Sequence, residues 1–157
     1  MHRFSHCSHN QAEQLRKIIH SLSEVKGIES ILGLQFENLL LANRQLIQKK
    51  LEIPDHQLIS SAPYVQRKTA LNKGGCQIDL LIHSDLDVFY LCEFKCQKII
   101  HKQVVRDVLK KMNVFQLPKR SSLKPVLVYQ GELHPGDIEA LNAFFYRVIP
   151  FESLFGE

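Results

Sequence analysis

Hydrophobic and polar residues follow two different periods along this chain. Apolar residues that recur every three or four positions predict helices, at 11–25, from about 29 to 50, from about 100 to 114, and at 137–144. Shorter apolar runs bounded by turn residues predict strands, at 64–69, 77–83, 88–96, 125–130 and 146–150. This order predicts an α/β fold, with a mixed central sheet that contains a three-strand meander and carries helices on both faces.

The whole chain is most simply one domain. Its 157 residues are 45% hydrophobic and 23% charged, which leaves enough apolar material for one core. We expect that domain to span 11–157. The first ten residues contain His2, His6, Cys7 and His9, which could form a metal site. Because a closed metal site needs ligands held by a folded segment, a flexible N-terminal segment over 1–10 is the preferred interpretation.

Charge and cysteine content narrow the class of protein. The net charge of +4 and the pI of about 8.9 permit a polyanionic partner such as nucleic acid. The four cysteines form no CxxC pair, and we interpret them as reduced thiols. No apolar run reaches the roughly 20 residues of a membrane span, and the polar, His-rich start does not predict a signal peptide. The expected location is therefore the cytoplasm, without membrane contact.

Three ionisable residues lie inside the two most apolar strands. Asp79 lies in the strand at 77–83, and Glu93 and Lys95 lie in the strand at 88–96. A carboxylate inside an apolar strand is unfavourable unless it is paired or binds a cation. Since side chains alternate between the faces of a strand, Glu93 and Lys95 share one face. These residues therefore indicate a site more than a solvated surface.

A hairpin through residues 84–87 would bring Asp79 close to Glu93. Two adjacent carboxylates repel, and a divalent cation between them removes the repulsion; oxygen ligands suit Mg²⁺ or Mn²⁺. The neighbouring Lys95 could orient a water nucleophile or a phosphate, so the group outlines a phosphodiester-hydrolysis site. The alternative is that Glu93 and Lys95 form an ordinary ion pair on one face of a strand.

The same residues resemble a known family. Asp79, followed by Glu93-Phe94-Lys95 at the end of the next strand, resembles the PD-(D/E)xK nuclease superfamily. The segments GGCQIDLLI and YLCEFK resemble most closely the nuclease-like domain at the C-terminus of certain bacterial AAA-type ATPases, over roughly 27–115. No proline precedes Asp79, where Gln77 and Ile78 stand instead. The resemblance implies a restriction-endonuclease-like core of a helix, a three-strand meander, a helix and a further strand.

The resemblance also implies roles for three further residues. Glu37, on the second predicted helix, would be a third acidic metal ligand, directly or through water; the alternative is a glutamate at the rim of that helix. The backbone carbonyl of Phe94 would be another metal ligand. Gln103, one turn into the helix at 100–114, would lie near the site.

Basic residues around the site are candidates for nucleic-acid contact. Arg67, Lys68 and Lys73 are expected beside it, and Lys102, Arg106 and Lys110 form a row on one helix face, suited to following phosphates. The alternative in both cases is an ordinary solvated surface. Gly74 and Gly75 could admit a phosphate backbone or form only a flexible turn. His83 and His101 could serve as extra bases, although an isolated histidine near a strand end is usually incidental.

The expected function is that of a metal-dependent nuclease that hydrolyses phosphodiester bonds, with DNA as the expected substrate. The alternative is a non-catalytic nucleic-acid- or protein-binding module derived from the ATPase-associated domain. A second copy of this chain and a separate ATPase chain are the protein partners left open.

Overall fold

Five strands form one mixed sheet in the order β1-β2-β3-β4-β5. The computed structural model describes residues 13, 14, 16–18, 20, 27–71 and 74–156. The strands are β1 Leu58–Gln66, β2 Cys76–Ser84, β3 Val88–Ile100, β4 Ser122–Leu133 and β5 Arg147–Pro150. The first three are antiparallel neighbours, whereas β4 runs parallel to β3 and β5 runs parallel to β4. The predicted α/β class, the mixed sheet and its three-strand meander are thus confirmed.

Helices lie on both faces of this sheet, as the hydrophobic pattern predicts. They are α1 Ile28–Ala42, α2 Arg44–Lys50, α3 Gln103–Val114 and α4 Ile138–Phe144, with short 3-10 turns at Asp55–Gln57, Pro135–Asp137 and Phe151–Leu154. Of the helix predicted at 11–25, the described residues 13, 14, 16–18 and 20 are helical; the remaining positions and the segment 1–10 lie outside the described residues.

The two faces of the sheet carry separate hydrophobic clusters. On the first face, Phe94 of β3 packs in one cluster with Phe36 of α1, Ile47 of α2 and Phe151 near the C-terminus. On the second face, Leu91 and Leu127 pack with Val104 and Val108 of α3 and with Leu141 of α4. In β4 the successive residues Val126, Leu127 and Val128 are all fully buried, because both faces of this strand are covered.

Several predicted boundaries differ from the observed ones, for example β3 extends to Ile100 and β4 spans Ser122–Leu133. Two of the differences have identifiable reasons. The helix predicted from 29 to 50 divides at Asn43, whose side-chain amide donates to the Leu39 carbonyl at 2.8 Å and so competes with the helical hydrogen bonds. Strand β1 begins at Leu58 instead of residue 64. Proline is rare inside a sheet, and Pro63 therefore favoured a connector up to residue 63. However, β1 is an edge strand, where proline is tolerated.

A bulge in β2 places Asp79. Between the pairs Ala62–Leu81 and Tyr64–Ile78, strand β1 advances two residues and β2 advances three. The extra residue falls at Asp79 and Leu80, so Ile78 turns to the second face although Leu80 packs on the first. The described chain contains no helix that is both long and apolar enough to cross a membrane.

Candidate functional site

The antiparallel ladder between β2 and β3 stops one residue before Asp79. Its last pair is Leu80 with Cys92. In the next position Oδ2 of Asp79 accepts a hydrogen bond of 2.8 Å from the backbone N–H of Phe94. The Asp79 carboxylate therefore accepts the Phe94 N–H in place of a backbone carbonyl of the bulged strand. The predicted contact of Asp79 with the Glu93-Phe94-Lys95 segment is present.

Asp79 is a carboxyl group in an unfavourable place for a charge. Burial and, next in size, the charge of Glu93 raise the pKa of Asp79 to about 6. The Phe94 N–H and the Lys111 ammonium act in the opposite direction, and the charge of Glu37 adds a smaller increase. A raised pKa with a specific charged neighbour beside a cleft is a common property of functional carboxylates.

Glu93 lies on the second face of the sheet, where it is only 3% exposed. Two ammonium groups compensate its charge. Nζ of Lys95 lies 3.0 Å from Oε1, and Nζ of Lys111 lies 2.5 Å from Oε2. Both lysine side chains are about a quarter exposed, at 26% and 22%. The Glu93–Lys95 pair expected from strand alternation is therefore part of a three-membered ionic group.

Lys111 is the residue of this group that sequence reasoning missed. It belongs to α3, and the positions Val104, Val108 and Lys111 share one side of that helix. The first two are buried against the second face of the sheet, which directs Lys111 toward Glu93. The signal in the sequence is a lysine at a position of the apolar stripe of an amphipathic helix. The predicted contact residues Lys102, Arg106 and Lys110 lie on the exposed side of the same helix.

An open cleft of about 500 Å³ lies against these charges. Asp79, Lys110 and Lys111 line this cleft, with Lys111 half-buried and Lys110 exposed. The remaining lining residues are Gly75, Cys76, Gln77 and Val114. Because Asp79 shares this cleft with Lys111, and Lys111 contacts Glu93, both carboxylates belong to the same side of the sheet. The cleft thus offers one carboxylate and two ammonium groups to a ligand.

The loop before β2 is fixed to the end of α3. Nε2 of Gln66 donates to the carbonyls of Gly74 at 3.0 Å and Val114 at 2.7 Å, and its Oε1 accepts from the N–H of Gln116 at 3.1 Å. A Cβ on Gly74 would lie 2.7 Å from the Cβ of Val114. Gly74 is therefore required for packing, whereas Gly75 faces the cleft.

Glu37, the third predicted acidic ligand, does not share a face of the sheet with Glu93. It is half-buried on α1, which covers the first face, while Glu93 lies on the second. Within the described ranges, the group of three His, Cys, Asp or Glu ligand atoms that converge within 4.8 Å is His101, His134 and Asp137. Glu37 does reach Asp79 electrostatically, since its charge raises the pKa of that residue.

The other predicted contact residues spread over a wider surface. Arg67, Lys68 and Arg106 are exposed, and Lys73 lies outside the described residues. Lys102 lies at the start of α3, with Nζ 3.9 Å from Oδ1 of Asp137. Gln103 donates to Asp107 at 3.3 Å on the exposed side, two turns from Lys111. His83 stacks on Phe89, with ring centroids 4.0 Å apart.

The fold and the site thus define an α/β protein with a cleft beside a sheet bulge, lined by Asp79, Lys110 and Lys111. Behind Lys111 lies the buried ion-paired group of Glu93 with Lys95. Comparisons of the chain with protein families, with curated proteins and with solved structures find no match.

Proposed function

We propose that this protein is a metal-dependent nuclease of the PD-(D/E)xK type that hydrolyses phosphodiester bonds of DNA. The observation that carries the proposal is that Asp79 lines an open cleft and is held by the Phe94 N–H, next to Glu93, whose charge acts on Asp79 and which is ion-paired with Lys95. These are the residues of the motif, and a bulge and a break in the strand ladder serve to bring them together.

The topology supports the same proposal. Helix α1, the meander β1-β2-β3, helix α3 and the parallel strand β4 follow one another in the order that the resemblance implies for a restriction-endonuclease-like core. The agreement is independent of the motif residues, because it depends on pairing between strands. Fold alone does not define a function, and the nuclease proposal therefore rests on the residues of the site.

The donor atoms fit Mg²⁺ or Mn²⁺. Asp79 and Glu93 offer hard carboxylate oxygens. Burial and, next in size, the charge of Glu93 raise the pKa of Asp79 in the absence of a cation. The N–H of Phe94 points toward Asp79. Because the N–H and the carbonyl of one strand residue point toward the same neighbouring strand, the Phe94 carbonyl oxygen would be a further metal ligand. Glu37 would complete the set through water. Such an ion, when bound, would lower the pKa of a coordinated water and polarise the phosphate.

The three lysines would have different roles in catalysis. Both oxygens of Glu93 are paired with ammonium groups. A cation can therefore bind Glu93 only if the Lys111 ammonium leaves Oε2 and moves farther into the cleft. In that position Lys111 and Lys110 would bind the phosphate on either side of the scissile bond. Lys95 stays beside Glu93, where it would orient the attacking water and stabilise the charge that develops on the phosphate.

The test compares metal binding with cleavage in the same variants. Asp79→Asn and Glu93→Gln should abolish both Mn²⁺ binding, measured by calorimetry, and Mg²⁺-dependent cleavage of single- and double-stranded DNA. Lys95→Met should lower the cleavage rate by about 10² or more while Mn²⁺ binding persists, because lysine is not a ligand. Glu139→Gln, an exposed carboxylate on α4, is the matched control and should change neither.

The second candidate function is a non-catalytic nucleic-acid-binding module. It is favoured by one observation, namely that Glu93 already has two ammonium partners and forms a complete ionic group without a metal. DNA binding that is unchanged by Mg²⁺ or Mn²⁺, with no cleavage by the parent protein, would support this module and reject the nuclease. Loss of Mn²⁺ binding in Lys95→Met as severe as in Asp79→Asn would reject the assigned roles.

A further inference from the structure

Two histidines lie side by side where β3 and β4 end. The last pairs of these parallel strands are Ile99 with Glu132 and Ile100 with Leu133. The next residues in this register are His101 and His134, and the N–H of His134 donates to the Ile100 carbonyl at 2.9 Å. Their rings are 4.7 Å apart, centroid to centroid. The backbone pairing, and not side-chain adaptation, sets this proximity.

A second bulge creates the register. From the pair Cys96–Gln130 to the pair Ile99–Glu132, β3 advances three residues and β4 advances two. Without the extra residue His101 would lie opposite Pro135. Gly131 permits the close approach, since its φ is +124° and a Cβ there would lie 1.8 Å from the Gln97 carbonyl oxygen.

Asp137 completes the cluster from the following 3-10 turn. Its N–H donates to the His134 carbonyl at 2.9 Å, which fixes the turn. Its buried Oδ2 lies 3.4 Å from Nδ1 of His101 and 3.5 Å from Nδ1 of His134. The same oxygen accepts the Lys102 N–H at 3.1 Å, while Nζ of Lys102 lies 3.9 Å from Oδ1.

These spacings are those of metal ligands. Ligand atoms about 2.0–2.1 Å from a tetrahedral zinc are separated by about 3.4 Å, which matches both distances from Oδ2 to an imidazole nitrogen. The spacing is long for a hydrogen bond. Nδ1 of His134 is shielded from solvent and has no hydrogen-bond partner among the described residues.

We propose that His101, His134 and Asp137 bind a divalent transition metal of the zinc class through Nδ1, Nδ1 and Oδ2. The ion joins the ends of β3 and β4 to the 3-10 turn at Pro135–Asp137, which precedes α4. The Lys102 N–H supplies the outer hydrogen bond that ligating carboxylates commonly accept. The half-exposed histidine rings leave a coordination position open to solvent.

This metal site is separate from the proposed nuclease site. Lys102 and Lys111 are nine positions apart at and within α3, which is about 13 Å along the helix axis. Two imidazole nitrogens and one carboxylate select zinc, cobalt or nickel, whereas the oxygen donors around Asp79 suit magnesium. The two proposals therefore stand or fall independently.

Zinc titration by calorimetry tests the site in the full chain. His2, His6, Cys7 and His9 are first changed to alanine, so that the N-terminal residues cannot bind the ion. We expect this parent protein to bind one equivalent of Zn²⁺ at His101, His134 and Asp137. The affinity should fall at least about tenfold in His101→Ala, His134→Ala and Asp137→Asn, since even the loss of an outer partner weakens metal sites on that scale.

Controls separate metal binding from folding. His56→Ala, an exposed histidine near the other end of the sheet, should bind Zn²⁺ like the parent. Asp137→Asn preserves an acceptor for the Lys102 N–H, and circular dichroism checks that each variant folds. The melting temperature should rise with Zn²⁺ in the parent and stay constant in Asp137→Asn. Absence of Zn²⁺ binding in the parent, or binding unchanged in both His101→Ala and His134→Ala, overturns the proposal.

Discussion

The backbone N–H of Phe94 donates to the carboxylate of Asp79 across the break between β2 and β3. Through this bond an acidic side chain replaces the backbone acceptor that the bulge removes. Asp79, which lies at this bulge, also lines the cleft. An element that weakens the ladder therefore positions the candidate site, which is a frequent arrangement next to active sites.

Asp79→Asn should stabilise the protein at neutral pH in the absence of divalent metal. The pKa of Asp79 is raised from 3.8 to about 6, so the folded state holds this proton more tightly than the unfolded state. Stability should fall as the pH rises from about 4 to about 6 and then level off. The shift corresponds to up to about 3 kcal/mol of unfolding free energy. Asparagine can still accept the Phe94 N–H.

Urea denaturation of parent and variant between pH 4 and 8, with chelator present, measures this dependence. The unfolding free energies of the two proteins should be similar near pH 4, separate between pH 4 and 6, and stay apart above pH 6, with Asp79→Asn the more stable. A difference between the two proteins that stays constant from pH 4 to 8 would show an unshifted pKa for Asp79, and a parent that gains stability relative to the variant as the pH rises would show a lowered one.

Lys111→Met should destabilise the protein by about 2 kcal/mol, because Glu93 is buried and loses one of two charged hydrogen-bond partners. Methionine preserves much of the aliphatic stem of the side chain. Loss of the ammonium should also raise the pKa of Asp79 further, since Lys111 lowers it. Denaturant unfolding and an NMR titration of the Asp79 carboxyl measure both effects. Lys110→Met, at the exposed neighbour, should leave the unfolding free energy unchanged.

The basic row on α3 should supply sequence-independent DNA contacts. We expect Lys102, Arg106 and Lys110, changed together to glutamine, to weaken DNA binding equally for different sequences. The slope of log K against log salt should fall by up to about 3, since each phosphate contact contributes about one unit. Fluorescence anisotropy at several salt concentrations measures this slope.

A matched triple variant provides the control for charge. Arg44, Lys49 and Lys50 lie on α2, which covers the other face of the sheet, and their change to glutamine removes the same charge. Equal losses of affinity in the two triple variants would assign DNA binding to net charge and not to the α3 surface.

Gly131→Ala should destabilise the protein by at least about 3 kcal/mol. The new Cβ would collide with the Gln97 backbone, and the φ of +124° is strained for alanine. Gly27→Ala is the matched comparison, because Gly27 also has a positive φ of +89°, but a Cβ added there would meet no atom within 4 Å. Its cost should be about 1–2 kcal/mol. Thermal unfolding of both variants measures the difference, and equal costs would contradict the bulge contact.

Local pattern was sufficient for most of the sheet. The hairpin predicted through residues 84–87 is present, because β2 ends at Ser84 and β3 begins at Val88. Within the apolar run at 125–130, Val126, Leu127 and Val128 are fully buried, so both faces of the strand are covered there. Asp79, Glu93 and Lys95 could be chosen because a charge within an apolar strand conflicts with its surroundings, and such conflicts mark functional sites. The metal, the nuclease activity and the family resemblance stay predictions.

What the sequence determined by itself is the periodicity of each element and the positions where charge interrupts it. Only the tertiary structure decided the rest. The two bulges, the approach of Lys111 to Glu93 and the pairing of His101 with His134 depend on register between strands and on the rotation of α3 over the sheet. Those quantities arise from contacts between residues far apart in the chain, and a one-residue change in register alters every contact beyond it.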